Sequence, residues 1–237
     1  LHDAAVWALD ARAANVPPHC GVSGIQLERG IRMKRDELDG PLEWDRATEG
    51  MPFVPPRVID LSLAGKGNYV RRKSRLAEAL WFVLEACVIN NKLVPFSALR
   101  VALLRLFGAK IGTGCRFVHP LRVKAPWNLE VGVNCWFGVD AWIYNQAPIR
   151  IGSNVCISQG VFLTSGSHEA AGNMDLQVAP IVIEDGVWIS SKCVVQKGVT
   201  IGRSAVVTPL SVVNRSLPAA GIYGGNPCRF IRQRFSS

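Results

Sequence analysis

Ile183-Glu-Asp-Gly-Val-Trp-Ile-Ser-Ser-Lys-Cys-Val-Val-Gln-Lys-Gly-Val-Thr-Ile-Gly202 returns a large aliphatic residue every six positions, at Ile183, Ile189, Val195 and Ile201. A helix returns its apolar face every 3.6 residues and a lone strand every two, so a period of six fits neither. It fits short strands joined by turns, with one large side chain per hexad pointing inward and stacked coils burying a continuous apolar column. Toward the C-terminus the series continues through Val207 and Val213. Toward the N-terminus it resumes at Ile151, Ile157 and Leu163, then, after a shift of two residues, at Val131, Phe137, Ile143 and Ile149. A further shift gives Ile111, Phe117, Val123 and Leu129. Small or compact residues four positions beyond the Ile/Val-Gly pairs, such as Cys115, Cys135 and Ala205, suit tight corners. The pattern predicts an all-β solenoid over residues 111–216, interrupted by a loop at 169–182 that holds Gly172, Asn173 and Pro180.

The flanks read differently. Residues 57–110 read as a helical segment. Ser74 is placed to cap, Glu78 sits in the first turns, and Leu76, Leu80, Val83, Leu84 and Cys87 recur at helical spacing. Asn90-Asn91 and Pro95 interrupt, and a second helix is expected from Ser97 to Phe107, with Gly108 as its stop. These helices are expected to cap the solenoid with their apolar residues packed on it. The competing reading is an amphipathic pair on a membrane surface, because Arg71, Arg72, Lys73 and Arg75 precede the first helix. Residues 217–237 form a tail, turned back by Gly224-Gly225-Asn226-Pro227, in which a short helix is expected. Residues 1–56 show no sustained period and read as a loosely ordered extension; Met33 and Met51 offer alternative natural starts.

Charge and cysteine narrow the class. The 237 residues carry 27 Lys and Arg against 18 Asp and Glu, a net charge of +9. The excess is concentrated at 66–110, with nine cations against two carboxylates. Such a balance favours anionic partners: phosphates, cofactors or an acidic membrane surface. The 71–75 cluster lacks interleaved aromatics, and no helix-turn-helix or zinc-finger spacing appears, so no nucleic-acid partner is expected. Seven cysteines form no CxxC pair and read as reduced thiols of a cytoplasmic protein, with peripheral contact at the inner membrane face as the variant reading. Four scattered histidines are too few for a metal site, and no long apolar run predicts a spanning helix.

His168 closes the run Leu163-Thr-Ser-Gly-Ser-His168, where the hexad phase breaks. A histidine at the root of a solenoid loop stands where function tends to gather, and imidazole, titrating near neutrality, can take a proton from a hydroxyl. A surface histidine at a turn is the equal alternative. His119, in a turn of the first coil, reads as structural.

The run 183–202 and the tail Gly224-Gly-Asn-Pro-Cys-Arg-Phe-Ile-Arg232 resemble the hexapeptide-repeat acyltransferases. Leu106-Phe-Gly-Ala-Lys-Ile-Gly112 and the stretch from Trp142 to His168 narrow the resemblance to acetyltransferases of the colanic-acid-biosynthesis type, relatives of the maltose, galactoside and nodulation sugar O-acetyltransferases. It spans residues 57–234. It implies a left-handed parallel β-helix, a homotrimer with active sites between subunits, acetyl-CoA as donor, and a sugar or glycan-intermediate acceptor in exopolysaccharide biosynthesis. It implies His168 as general base, a backbone N–H at Ser191 holding the thioester oxygen, and Trp188 lining the cleft. Asn214, Arg229 and Arg232 fall on positions near the CoA. Where the relatives place an acidic residue against the acceptor, this chain has Asn145 or Gln146, and Asn145 is the expected substrate contact. Glu169 either steadies the imidazole or points away. The rival readings are an N-acetyltransferase on an amino sugar or xenobiotic, and a non-catalytic scaffold.

Overall fold

The computed structural model describes residues 57–236; the extension expected over 1–56 lies outside them. The first coil contributes β1 (Lys110–Ile111), β2 (Arg116–Phe117) and β3 (Leu121–Val123). The second contributes β4 (Leu129–Val131), β5 (Trp136–Phe137) and β6 (Ala141–Tyr144), and the third β7 (Ile149–Ile151), β8 (Cys156–Ile157) and β9 (Phe162–Thr164). A hairpin of β10 (Gly166–His168) and β11 (Leu176–Val178) then leaves the stack. The chain returns through β12 (Ile181–Ile183), β13 (Trp188–Ile189) and β14 (Val194–Val195), and the fifth coil holds β15 (Thr200–Ile201), β16 (Val206–Val207) and β17 (Val212–Val213). β18 (Gly221–Gly224) starts a sixth coil and β19 (Arg229–Gln233) closes the chain.

Each coil gives one strand to each of three faces. Sheet A is β1-β4-β7-β12-β15, sheet C is β3-β6-β9-β14-β17, and sheet B runs from β2 through β5, β8, β13 and β16 to β18, all parallel. Every residue of the six-residue series is buried. Each such side chain contributes roughly 1.5–3 kcal/mol relative to exposure, so a slip of phase is strongly resisted. The two-residue shifts have a simple cause. Strands β4, β7 and β12 are three residues long, and both ends of each point inward. Asn134 and Asn154 take the left-handed backbone conformation (φ 57°) at equivalent corners, a geometry asparagine tolerates well.

Two helices cover the open end of the stack. α1 (Arg75–Leu84) is capped by the Ser74 hydroxyl, which accepts from the Ala77 N–H, and runs on as a wider turn over Glu85–Ile89; α2 (Ser97–Leu106) follows. The packing corrects one expectation: the stripe Leu76, Leu80 and Val83 faces away from the coils. The first coil presents backbone N–H and C=O groups that no neighbouring strand satisfies, so the inward face of the cap must supply partners. The Trp81 indole N–H donates to Val123 O (2.7 Å), the Ser97 hydroxyl accepts from Phe117 N–H (2.9 Å), and the Arg105 guanidinium donates to Ile111 O (2.6 Å). Arg100 is fully buried, donating to the carbonyls of Ile89 and Asn91 at 3.2 and 3.3 Å, and to that of Val94.

The tail is also corrected. In place of the expected short helix, β19 pairs antiparallel with β18 and extends sheet B. An available sheet edge beside Phe230 and Ile231, both good strand formers, outweighs local helix preference.

Candidate active site

His168 ends β10, paired across the hairpin with Leu176, and its ring is exposed. Its Nδ1 lies 2.7 Å from the Met174 carbonyl oxygen. A carbonyl only accepts, so Nδ1 carries the hydrogen and Nε2 of the neutral ring keeps its lone pair, turned away from the hairpin. Met174 adopts φ 61°, the kink that swings its carbonyl toward the ring. Glu169 does not reach the imidazole. Its carboxylate accepts from the N–H groups of Ala171 and Gly172 and so closes the hairpin tip. A role for Glu169 beside the imidazole is thereby replaced by one in loop shape.

The hairpin is held from outside by a segment the sequence did not flag. Leu176 N–H donates to Gly65 O (3.1 Å) and Asn68 N–H to Leu176 O (3.2 Å). The Asn68 side-chain amide donates to Val178 O (2.9 Å) and accepts from Val178 N–H (2.7 Å). Residues 65–68 thus form a strap across the hairpin. A Cβ at Gly67, whose φ is 47°, would overlap the Leu176 carbonyl, so only glycine allows this approach. From below, β10 rests on Gln146: a Cβ at Gly166 would run into its carboxamide oxygen.

Asn145, expected at the acceptor, is fully buried. Its Oδ1 accepts from Ala125 N–H (2.9 Å) and its Nδ2 donates to Ala125 O (2.7 Å), clipping one coil corner to the next. Ser165 repeats the clip one coil on, its hydroxyl accepting from Ala147 N–H (2.8 Å) and donating to Ala147 O (3.1 Å). Both amide ends of Asn145 are used, so it supports the corner beneath the hairpin and leaves nothing for a sugar. Period-two alternation carried the signal. Ala141 and Ile143 point inward, so Asn145 does too.

Trp188 lies on the outer side of sheet B, 46% exposed, its indole N–H donating to Ser158 Oγ (3.0 Å). The register aligns it with Cys156 and then Trp136, an exposed aromatic that the sequence reading passed over. Arg229 pairs with Gly224 and Arg232 with Ile222, with a register shift between. Residues three apart on a regular strand face opposite ways; the extra residue in this bulge brings both guanidinium groups to one side. Ser191 sits in the turn after β13. Among the described residues its backbone N–H meets no acceptor. Asn214 is exposed after β17, at the corner where sheet C passes to sheet A, the same edge that carries the hairpin.

Five of the expected residues therefore fall into two groups on one chain, and Ser191 stands apart at the corner where sheet B passes to sheet C. His168 and Asn214 mark the C-to-A edge. Trp188, Arg229 and Arg232, with Trp136, mark the outer face of sheet B, across the three-sided prism. A concavity of about 520 Å³ on sheet A, lined by Lys110, Glu130, Arg150, Asp185 and Arg203, contains none of them.

The buried cysteines are chemically quiet. Burial pushes the Cys135 thiol up to about 11 and raises Cys193 and Cys228 in the same direction. A raised value means less thiolate near pH 8, hence slower alkylation. In iodoacetamide labelling of the native protein read by mass spectrometry, exposed Cys87 should modify while Cys135, Cys193 and Cys228 stay protected. Labelling of Cys193 as fast as Cys87 would contradict this.

The profile of the hexapeptide repeat of succinyl-transferase matches residues 129–165 and 180–208, the coils on either side of the hairpin. The protein named for colanic acid biosynthesis, the acetyltransferase WcaF of Escherichia coli (strain K12), is 37% identical over 156 residues, covering 65% of this chain and 86% of its own. The galactoside O-acetyltransferase of the same organism is 30% identical over 56% of this chain and 68% of its own. Among solved structures, the hexapeptide-repeat acetyltransferase VCA0836 of Vibrio cholerae O1 biovar eltor, complexed with acetyl coenzyme A, is 28% identical. It superposes with a TM-score of 0.65 over 74% of this chain and 98% of its own. Coil architecture and sequence agree, and the chain belongs to the hexapeptide-repeat acyltransferases.

Proposed function

We propose that the protein transfers an acetyl group from acetyl-CoA to a sugar hydroxyl, with His168 as general base. The observation that carries this reading is the Nδ1–H bond to Met174 O, which leaves Nε2 as a fixed, outward-facing proton acceptor. Nε2 takes the hydroxyl proton as the oxygen attacks the thioester carbonyl. The oxyanion that forms rests on the Ser191 N–H. Collapse breaks the carbon–sulfur bond, and the leaving thiolate takes the proton back from the imidazolium. The Met174 carbonyl dipole steadies that imidazolium while it exists. Arg229 and Arg232, sharing one face of sheet B, suit the phosphates of the donor by charge and fork geometry. The acetyl-CoA complex of the Vibrio protein and the sugar named for the galactoside enzyme support donor and acceptor class, and the WcaF relative supports a place in exopolysaccharide assembly.

The two groups of residues on opposite sides of the prism favour a homotrimer. The C-to-A edge of one copy set against sheet B of the next completes a site, and a heterologous contact repeated about a threefold axis closes the ring. Among the described residues no helix is long and apolar enough to cross a membrane.

Titration calorimetry with acetyl-CoA tests the donor without a guess at the acceptor. Saturable binding is expected, weakened at least tenfold in Arg229→Ala/Arg232→Ala. An unchanged isotherm in that variant would remove the arginines from the site; no binding at millimolar acetyl-CoA would remove the function. Thiol release in the presence of hydroxyl and amino sugars then fixes the acceptor, with turnover expected on hydroxyls.

A further inference from the structure

The cap helices bury part of their apolar surface, through Trp81 and Leu84 on α1 and Leu103 and Leu104 on α2, and leave the rest facing away from the coils. On α1 the positions i, i+4 and i+7 place Leu76 (80% exposed), Leu80 (53%) and Val83 (55%) in one stripe facing away from the coils. Trp81 and the half-buried carboxylates of Glu78 and Glu85 face inward. On α2, Leu99 and Leu106 are exposed while Arg100 is buried. The turn between the helices adds Leu93 and Phe96, both largely exposed. A scattered exposed leucine needs no explanation, but a continuous apolar stripe on α1, extended by Leu93, Phe96, Leu99 and Leu106, does.

The charges beside it indicate what covers it. Arg71, Arg72, Lys73 and Arg75 are all exposed at the start of α1. Among the described residues, Arg71 meets Glu78 (3.4 Å) and the other three meet no carboxylate. Cations at a helix N-terminus oppose the macrodipole, so they do not serve α1 itself. An apolar stripe edged by cations is the pattern of a helix lying in the bilayer interface, where acyl chains take the leucines and anionic headgroups take the guanidinium groups.

We propose that this cap docks the protein on an anionic lipid bilayer, with Leu76, Leu80 and Val83 entering the interface and the 71–75 cluster on the headgroups. At ten residues, α1 can lie in the surface but not span it. The docking stands independently of acyl transfer. It would set the coil axis against the membrane and bring a lipid-borne acceptor within reach of the site.

Co-sedimentation of the full chain with phosphatidylglycerol–phosphatidylethanolamine vesicles at low salt, against phosphatidylcholine vesicles, tests it. Binding to the anionic vesicles is expected, falling at least tenfold in Leu80→Glu/Val83→Glu and in Arg72→Glu/Lys73→Glu, with circular dichroism confirming the fold of each. A full chain that stays in the supernatant overturns the proposal. So does Leu80→Glu/Val83→Glu binding like the parent, which would mean adsorption by charge alone. A smaller assembly for that variant on a sizing column, with no vesicle binding by the parent, would assign the face to a second copy.

Discussion

His168→Ala should lower turnover by about 10²–10⁴-fold, the usual contribution of a general base. That corresponds to about 2.7–5.4 kcal/mol of transition-state stabilisation. The acetyl-CoA isotherm should barely move, because the ring makes its bond to its own hairpin, at Met174 O, and the donor's phosphates are assigned to Arg229 and Arg232. Thiol release measured at saturating donor separates the two effects. Parental turnover in the variant would sink the base assignment. A lost isotherm would show instead that the hairpin had collapsed.

The second large effect falls on stability. Asn145 supplies one acceptor and one donor to Ala125 in a corner closed to water. Asn145→Ala leaves a buried N–H and a buried C=O unpaired, at a cost of about 2–4 kcal/mol. Asn145→Asp should cost more. A carboxylate can accept from Ala125 N–H, but its second oxygen then faces the Ala125 carbonyl, and protonation or loss of the corner must follow. Urea unfolding followed by circular dichroism reads both. A variant as stable as the parent would mean that the clip is dispensable, and Asn145 would return as a candidate for acceptor binding.

The contrast between Asn145 and His168 shows where sequence suffices. Inward positions recur every six residues because each buries a full aliphatic side chain, so Ile111 through Val213 could be read without coordinates. Trp188, next to an inward Ile189, is legible as outward by the same alternation, and the alternation of Ala141 and Ile143 makes Asn145 inward in the same way. The direction of the α1 stripe was not legible. Periodicity shows that an apolar face exists, and only the unsatisfied backbone groups of the first coil decide which face turns in. The tail strand depended on β18, which takes its place only by pairing in parallel with β16, outside the tail. The strap at 65–68 rests on contacts 110 residues apart, and no local signal marks them.

A stack of parallel strands has no intrinsic length, because the end of one coil is a template for the next. Here growth is stopped at both limits: the Trp81, Ser97 and Arg105 side chains occupy the first template, and antiparallel β19 presents the wrong polarity at the last strand of sheet B. The cap and the tail are therefore chain terminators in the polymer sense. A protein stripped of either would carry a live end able to recruit another copy head to tail, so the same repeat that makes a compact enzyme would seed a fibre.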